Sequence, residues 1–299
     1  MENCTGDFST VLSYVCTLPE GPAVFFAALN MLLSMTASLG NALILIALHE
    51  VTSVHPPTKL LFRCLAVTDL CVGLITQPLY AAVLLNILTK MKWDILYHVW
   101  VIERASGIIL CEVSIFTSTA ISVDRLLALL LGLRYRHVVT LRRVCALIIC
   151  FWLTGFSIAF MSIFSPFVTA GFGALSVVVS MFSYTRIFFK LRQHQAQVQG
   201  VHQGQPNGEG IELNIARYKK TVSSIAWVQL ALLVCYGPLI ISFVSTKITG
   251  WSGMSAGIVR ISTGTLLYLN SSLNPILYCW KIKEVRQAVK DTARKFYCS

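Results

Sequence analysis

Long apolar runs separated by short polar clusters recur along almost the whole chain, each about long enough to carry a helix across a hydrocarbon core of about 30 Å. Seven are recognised: Phe25 to Leu48, Leu60 to Leu88, Trp100 to Leu133, Val144 to Phe164, Val168 to Leu191, Val222 to Ser245 and Ile258 to Trp280. The pattern predicts an all-α fold, a seven-transmembrane helix bundle over residues 25–280, preceded by a polar segment, residues 1–24. Between the fifth and sixth runs, residues 195–215 are polar and rich in Gly and Gln, and read as a flexible loop. After the last run, Ile282, Val285 and Val289 recur at helical spacing opposite a basic face. Residues 281–299 are therefore expected to form a short amphipathic helix on the inner leaflet and a tail.

Composition agrees, since 56% of the 299 residues are hydrophobic and only 12% charged, against about 25% charged in soluble domains. Charge placement orients the bundle. Arg63, Arg134, Arg136, Arg142, Arg143, Arg186, Lys190, Lys219 and the basic tail fall on one side of the array, which marks that side as cytoplasmic. The net charge of +11 then reflects topology and contact with anionic membrane lipid, and gives no argument for nucleic acid. The N-terminus is expected outside the cell, in a plasma-membrane, multi-pass arrangement. Met1 to Pro22 holds Glu2, Asp7 and Glu20 and lacks a basic start followed by an apolar core, so no cleavable signal peptide is expected. An outside N-terminus suits the sequon at Asn3 for glycosylation, and Cys4 and Cys16, which are either bridged or free. Cys298 in the tail is either palmitoylated or unmodified.

Charges inside apolar runs require partners. Asp124 and Arg125 lie more than 20 residues beyond Trp100, at the cytoplasmic rim, where they can pair and meet water or a partner protein. Asp69, in LAVTDLCVGLITQP, lies roughly 14 Å into its span and is expected to face polar partners inside the bundle. Ser114, Asn270, Ser271 and Asn274 are the candidates. Their oxygens suit either a small hard cation, Na+ being the abundant one, or an ion-free hydrogen-bond network; no other cofactor is indicated. Pro238 and Pro275 interrupt the last two spans and predict hinges.

Taken in order, these residues resemble the rhodopsin-like (class A) G-protein-coupled receptors. The match runs through Gly40-Asn41, Leu65 to Asp69, Asp124-Arg125, Trp152, Tyr184 with Ile187, Cys235 to Pro238, and Asn274 to Tyr278. The resemblance implies that an outer ligand shifts a two-state equilibrium, the sixth helix swings outward, and a heterotrimeric G protein enters at the inner face. It also implies that Asp124 holds Arg125 at rest and that Arg125 reaches Tyr184 and Tyr278 when active. Tyr236 then stands at the sixth-helix switch, and sodium at Asp69, Ser114, Asn270 and Asn274.

The departures matter as well. Leu126 follows Asp-Arg in place of an aromatic, Tyr236 replaces a tryptophan, Ser118 replaces a leucine that helps seal the inner half, and Tyr218 replaces an acid. Each removes a restraint, and appreciable signalling without agonist is expected. Trp100 stands where the family has its disulfide cysteine, the fourth and fifth spans are nearly contiguous, and the fifth has no proline, as in the melanocortin branch and its lysophospholipid, cannabinoid and adenosine relatives.

For the ligand, Glu103, Gly107 and Cys111 share one stripe of the third helix, with Arg104 and Ile108 beside it and Glu112 deeper. Tyr236, Arg260 and Tyr268 complete the pocket residues. Gly107 occupies the amine-binding aspartate position of aminergic receptors, and Tyr268 that of the retinal lysine. Glu103 and Arg104 either read a headgroup or pair with one another. A peptide, a lipid, a small polar molecule and no ligand at all remain open. The competing class is a seven-helix transporter or ion pump, which would show interrupted repeat halves or a chain of acids across the bilayer; neither occurs. An enzyme is not expected, since neither HExxH nor GxSxG is present.

Overall fold

The computed structural model describes residues 19–50, 54–201, 230–246, 248–251, 253–281 and 286–287. The described chain is an all-α bundle of seven long helices: α1 Glu20–Glu50, α2 Pro56–Leu84, α3 Trp93–Leu131, α4 Leu141–Met161, α5 Pro166–Val201, α6 Leu230–Thr246 and α7 Met254–Lys281. Glu20–Glu50, Pro56–Leu84, Trp93–Ala128 and Leu141–Met161 are each long and apolar enough to cross a membrane; Phe167–Ser183 and Leu230–Thr246 are shorter apolar stretches. Large apolar side chains point outward, as Ile149, Leu153, Phe156 and Phe160 do on α4. Such a surface suits lipid and not water, and the protein is a multi-pass membrane protein.

The boundaries correct the sequence reading in several places. The first helix starts at Glu20, inside the segment expected to be a polar extension. The second ends at Leu84, and Leu85, at φ −76° and ψ −3°, separates it from the single turn Asn86–Thr89. The third begins at Trp93, seven residues before the expected start. Polar residues there, Asp94 and His98, hid those first two turns from a hydropathy reading. The fifth continues through Gln195–Val201, the beginning of the expected flexible loop. Polar composition does not stop a helix that lacks Pro until Pro206. The remainder of that loop, the amphipathic tail helix apart from Lys281, Arg286 and Gln287, and Asn3, Cys4, Cys16 and Cys298 lie outside the described residues.

Small or polar residues determine how closely α1 approaches its neighbours. Ala23, Ala27, Asn30, Ser34, Ala37 and Asn41 recur at spacings of three and four and are buried, the pattern by which membrane helices bring backbones together without a hydrophobic driving force. A Cβ on Gly40 would come within 2.9 Å of the Pro275 ring, so the first-helix glycine is the seat of the seventh-helix proline. A Cβ on Gly73 would meet Ser38 Oγ at 2.6 Å. Gly73 lies in a widened π-helical stretch, Val72–Thr76, just before Pro78. Such a stretch redirects a helix next to a residue that cannot donate. It re-aims the outer half of α2, with Tyr80, toward α7. Among the four long spans α3 is the most buried and α4 the least, which makes α3 the axis along which the functional residues are strung.

Candidate functional site: three levels along the third helix

The inner level is built around Asp124, 4% exposed. Its Oδ2 accepts from Arg125 Nη2 at 2.6 Å and Nε at 3.1 Å, and from Thr58 Oγ1 of α2 at 3.0 Å. Its Oδ1 accepts from the Tyr135 hydroxyl at 2.5 Å. Thr58 and Tyr135 are themselves 3.0 Å apart, and the His55 ring lies against Tyr135 with centroids 5.3 Å apart. Gly132 makes this possible: its φ of +50° belongs to the region that favours glycine, and it turns the chain under α3 into the one-turn helix Tyr135–Val138. Burial, and then the hydrogen bond to Asp124, push the Tyr135 phenol up to about 12. It therefore remains a donor throughout the neutral range. Arg125, with 28% of its side chain exposed, faces the inner mouth while held from behind. Thr58 and Tyr135 were missed by the sequence reading, the first as part of a helix start after Pro56-Pro57 and the second inside a basic loop counted only for topology.

The middle level is Asp69, fully buried. It accepts from Ser114 Oγ at 3.2 Å, Ser271 Oγ at 2.8 Å and Asn274 Nδ2 at 2.6 Å. Asn41 reaches the same stretch of α7 through Nδ2 to the Ser271 carbonyl at 3.1 Å. Of the expected network, Asn270 makes no bond to Asp69; its side chain is buried and its Oδ1 has no partner. One residue earlier than Ser271 on a helix, it is turned by about 100° from that face.

The outer level gathers Glu103, Gly107 and Cys111 on one buried face of α3, as the spacing predicted. Glu103 Oε1 accepts from the Tyr268 hydroxyl of α7 at 2.6 Å, and Tyr80 of α2 meets Tyr268 edge to face at 5.3 Å. Of the two expected alternatives for Glu103 and Arg104, a direct ion pair is not formed, although the two charges lie near enough to interact: Tyr268 occupies the acid, and Arg104 lies over the Trp100 ring at 5.9 Å. A Cβ on Gly107 would come within 2.9 Å of the Tyr268 hydroxyl, so Tyr268 fills the space where a side chain would otherwise project. Ile108 is half-buried on the adjacent stripe, and Arg260 lies near enough to Tyr80 for their charges to interact.

On α6, Tyr236 is buried and its hydroxyl donates to the Cys111 carbonyl at 3.2 Å, tying α6 to α3. It packs with Ile115, Leu232 and Cys235. Pro238 follows, half-buried, one turn after Val234, and Pro275 is buried inside α7. The side chains of Tyr184 and Tyr278 lie outside the described residues.

Comparison with known proteins agrees with this layout. Residues 40–171 match the family described as 7 transmembrane receptor (rhodopsin family). The histamine H2 receptor of Cavia porcellus is 25% identical over 292 residues, 89% of this chain and 78% of that protein. The trace amine-associated receptor 1 of Macaca mulatta is 24% identical over 88% of this chain and 86% of its own length. The adenosine receptor A2b of Rattus norvegicus is 29% identical over 46% and 40% respectively. The family match and the receptor relatives, with the helix order and the Asp124–Arg125 pair in place, support a rhodopsin-like, class A, G-protein-coupled receptor.

Proposed function

We propose that this receptor sits in the plasma membrane with its N-terminus outside and passes an outer signal to a heterotrimeric G protein through a latch at Arg125. The observation that carries the reading is the Asp124 cluster: one carboxylate accepts from Arg125, from α2 and from the loop beyond α3. Arg125 is a partly exposed member of that cluster, and the family resemblance supports its leaving when α6 swings away and pairing then with Tyr184 and Tyr278. Charge-assisted hydrogen bonds of this kind contribute about 1.5–3 kcal/mol each, enough to bias a two-state equilibrium and small enough for a G protein to overcome.

Signalling without agonist is part of the proposal. Ser118, where relatives of this pattern carry an apolar seal, is 2% exposed and its hydroxyl has no partner. A buried unsatisfied hydroxyl costs about 1–3 kcal/mol, and here the cost falls on the closed inner half. Asp69 and the Ser114 and Ser271 hydroxyls gather oxygens that would fit a small hard cation such as Na+. The class of ligand is taken up below.

The test is nucleotide exchange on a purified heterotrimeric G protein by membranes carrying the receptor, without added ligand and with surface expression matched. Exchange above receptor-free membranes is expected. Exchange at the receptor-free level, with the protein correctly inserted, would remove the ligand-independent part of the proposal.

A further inference from the structure

Glu112 belongs to none of the three levels. It follows Cys111 by one residue and precedes Ser114 by two, so it is turned about 100° from the outer stripe and about 200° from the Asp69 face. It points at α5: its Oε1 is 3.7 Å from where a Cβ of Gly173 would stand. The side chain is 5% exposed and Oε2 has no hydrogen-bond partner.

Three neighbouring features bear on what it is for. Thr169, one turn nearer the outer end of α5 and on the same face as Gly173, also has a buried hydroxyl without a partner. Tyr236 of α6 is near enough to Glu112 for their charges to interact. Toward the outside, α4 ends at Met161 and α5 begins at Pro166, and the short turn between them leaves no long loop across the mouth.

A buried carboxylate in a membrane bundle is expensive unless something of opposite charge or a set of donors meets it. Asp69 and Asp124 have such donors from other helices; Glu112 has none at Oε2. A leucine or glutamine would pack there at lower cost. Glycine at position 173 keeps the space beside the acid clear, where any larger residue would fill it. The group that fits is a cation, since an anion would be repelled and an apolar tail would leave both polar groups unsatisfied. Two unpartnered groups about one helical turn apart suit a compact molecule with an ammonium at one end and a second polar atom roughly 5–6 Å away.

We infer that Glu112 anchors the ammonium group of a small polar amine that enters between α3, α5 and α6, with Thr169 meeting its second polar group. The site is separate from the Gly107 position, which Tyr268 fills. The inference rests on the receptor reading above, but its test reads binding and not signalling, so either can fail alone.

The experiment uses the purified full chain in lipid nanodiscs, with 4-aminobutan-1-ol as the probe and butane-1,4-diol as its uncharged counterpart. Millimolar affinity for a probe this small corresponds to about 0.7 kcal/mol per heavy atom, well inside the bound for small ligands. A saturable rise in unfolding temperature is expected with the amine at millimolar concentration and not with the diol. Glu112→Gln should weaken the apparent affinity at least about tenfold, the loss of one charge-assisted contact, and leave the probe-free unfolding temperature unchanged or higher. Gly173→Leu, which fills the cradle and keeps the acid, should also abolish the response, and it serves if the Gln variant does not fold. No response of the wild-type protein to the amine, an equal response to the diol, or a response unchanged in either variant would overturn the assignment.

Discussion

Asp124 and Glu112 lie on the same helix, about three turns apart, and are treated in opposite ways. Asp124 accepts from Arg125, Thr58 and Tyr135, and both its oxygens are occupied. Glu112 is as deeply buried, yet one oxygen has no partner. A saturated acid holds what already surrounds it, whereas an unsaturated one is stabilised by whatever arrives. The contrast separates a latch, whose energy resides in the resting chain, from a binding position, whose energy is realised only with a guest. The outer Glu103–Tyr268 pair is intermediate: one short bond to a helix that carries Pro275 in its interior.

The largest expected effect comes from emptying the saturated acid. Asp124→Ala strands Arg125, Thr58 and Tyr135 together, and breaking a buried charged pair costs about 3–5 kcal/mol. Ligand-free nucleotide exchange should rise by about tenfold or more at matched expression. Removing only one donor is milder. Tyr135→Phe deletes a hydrogen bond to a charged acceptor, worth about 1.5–3 kcal/mol in a dry site and less at this half-exposed position, so exchange should rise several-fold. Since Tyr135 stays protonated to about 12, the ratio of mutant to wild type should be constant across neutral pH. A ratio that changed there would show that another group carries the restraint.

At the outer end the comparison is sharpened through stability. Gly107→Ala forces a methyl to within 2.9 Å of the Tyr268 hydroxyl, an overpacking that costs about 1–3 kcal/mol. It should lower the unfolding temperature, and by less in a Tyr268→Phe background, which itself loses the Glu103 bond, because the clashing oxygen is gone there. An equal loss in both backgrounds would mean that Thr76, 3.3 Å from the same position, is the true obstacle. The smallest effect is assigned to Tyr236→Phe, which removes a neutral bond to the Cys111 carbonyl worth about 0.5–1.5 kcal/mol. A rise in basal exchange of about twofold, from the lower end of that range, is expected.

The bundle was legible because membrane spans need long apolar runs and cytoplasmic loops carry basic residues. Asp69 with Ser114 and Asn274 was legible for a similar reason: an acid that deep requires polar company, and little polar company was available. Tyr135 and Thr58 were not legible, because their role depends on Gly132 turning the chain back beneath α3, a backbone event that hydropathy does not record. Adjacent charges pair at Asp124–Arg125 and not at Glu103–Arg104, and sequence could not tell the two apart, because the difference lies in a tyrosine of α7 that occupies Glu103 and a ring, Trp100, beneath Arg104. Glu112 stood out as a deep charge, but its lack of a partner emerges only once α5 and Gly173 are set opposite it.

The account depends most on Arg125 being a movable cation held by Asp124 at rest and needed by the G protein when released. Its most direct test is exchange on purified G protein by Arg125→Ala receptor, inserted and folded as judged by surface labelling and unfolding temperature. Exchange should fall to the level of receptor-free membranes, even when combined with Asp124→Ala. Retention of wild-type exchange by the single variant would contradict the latch.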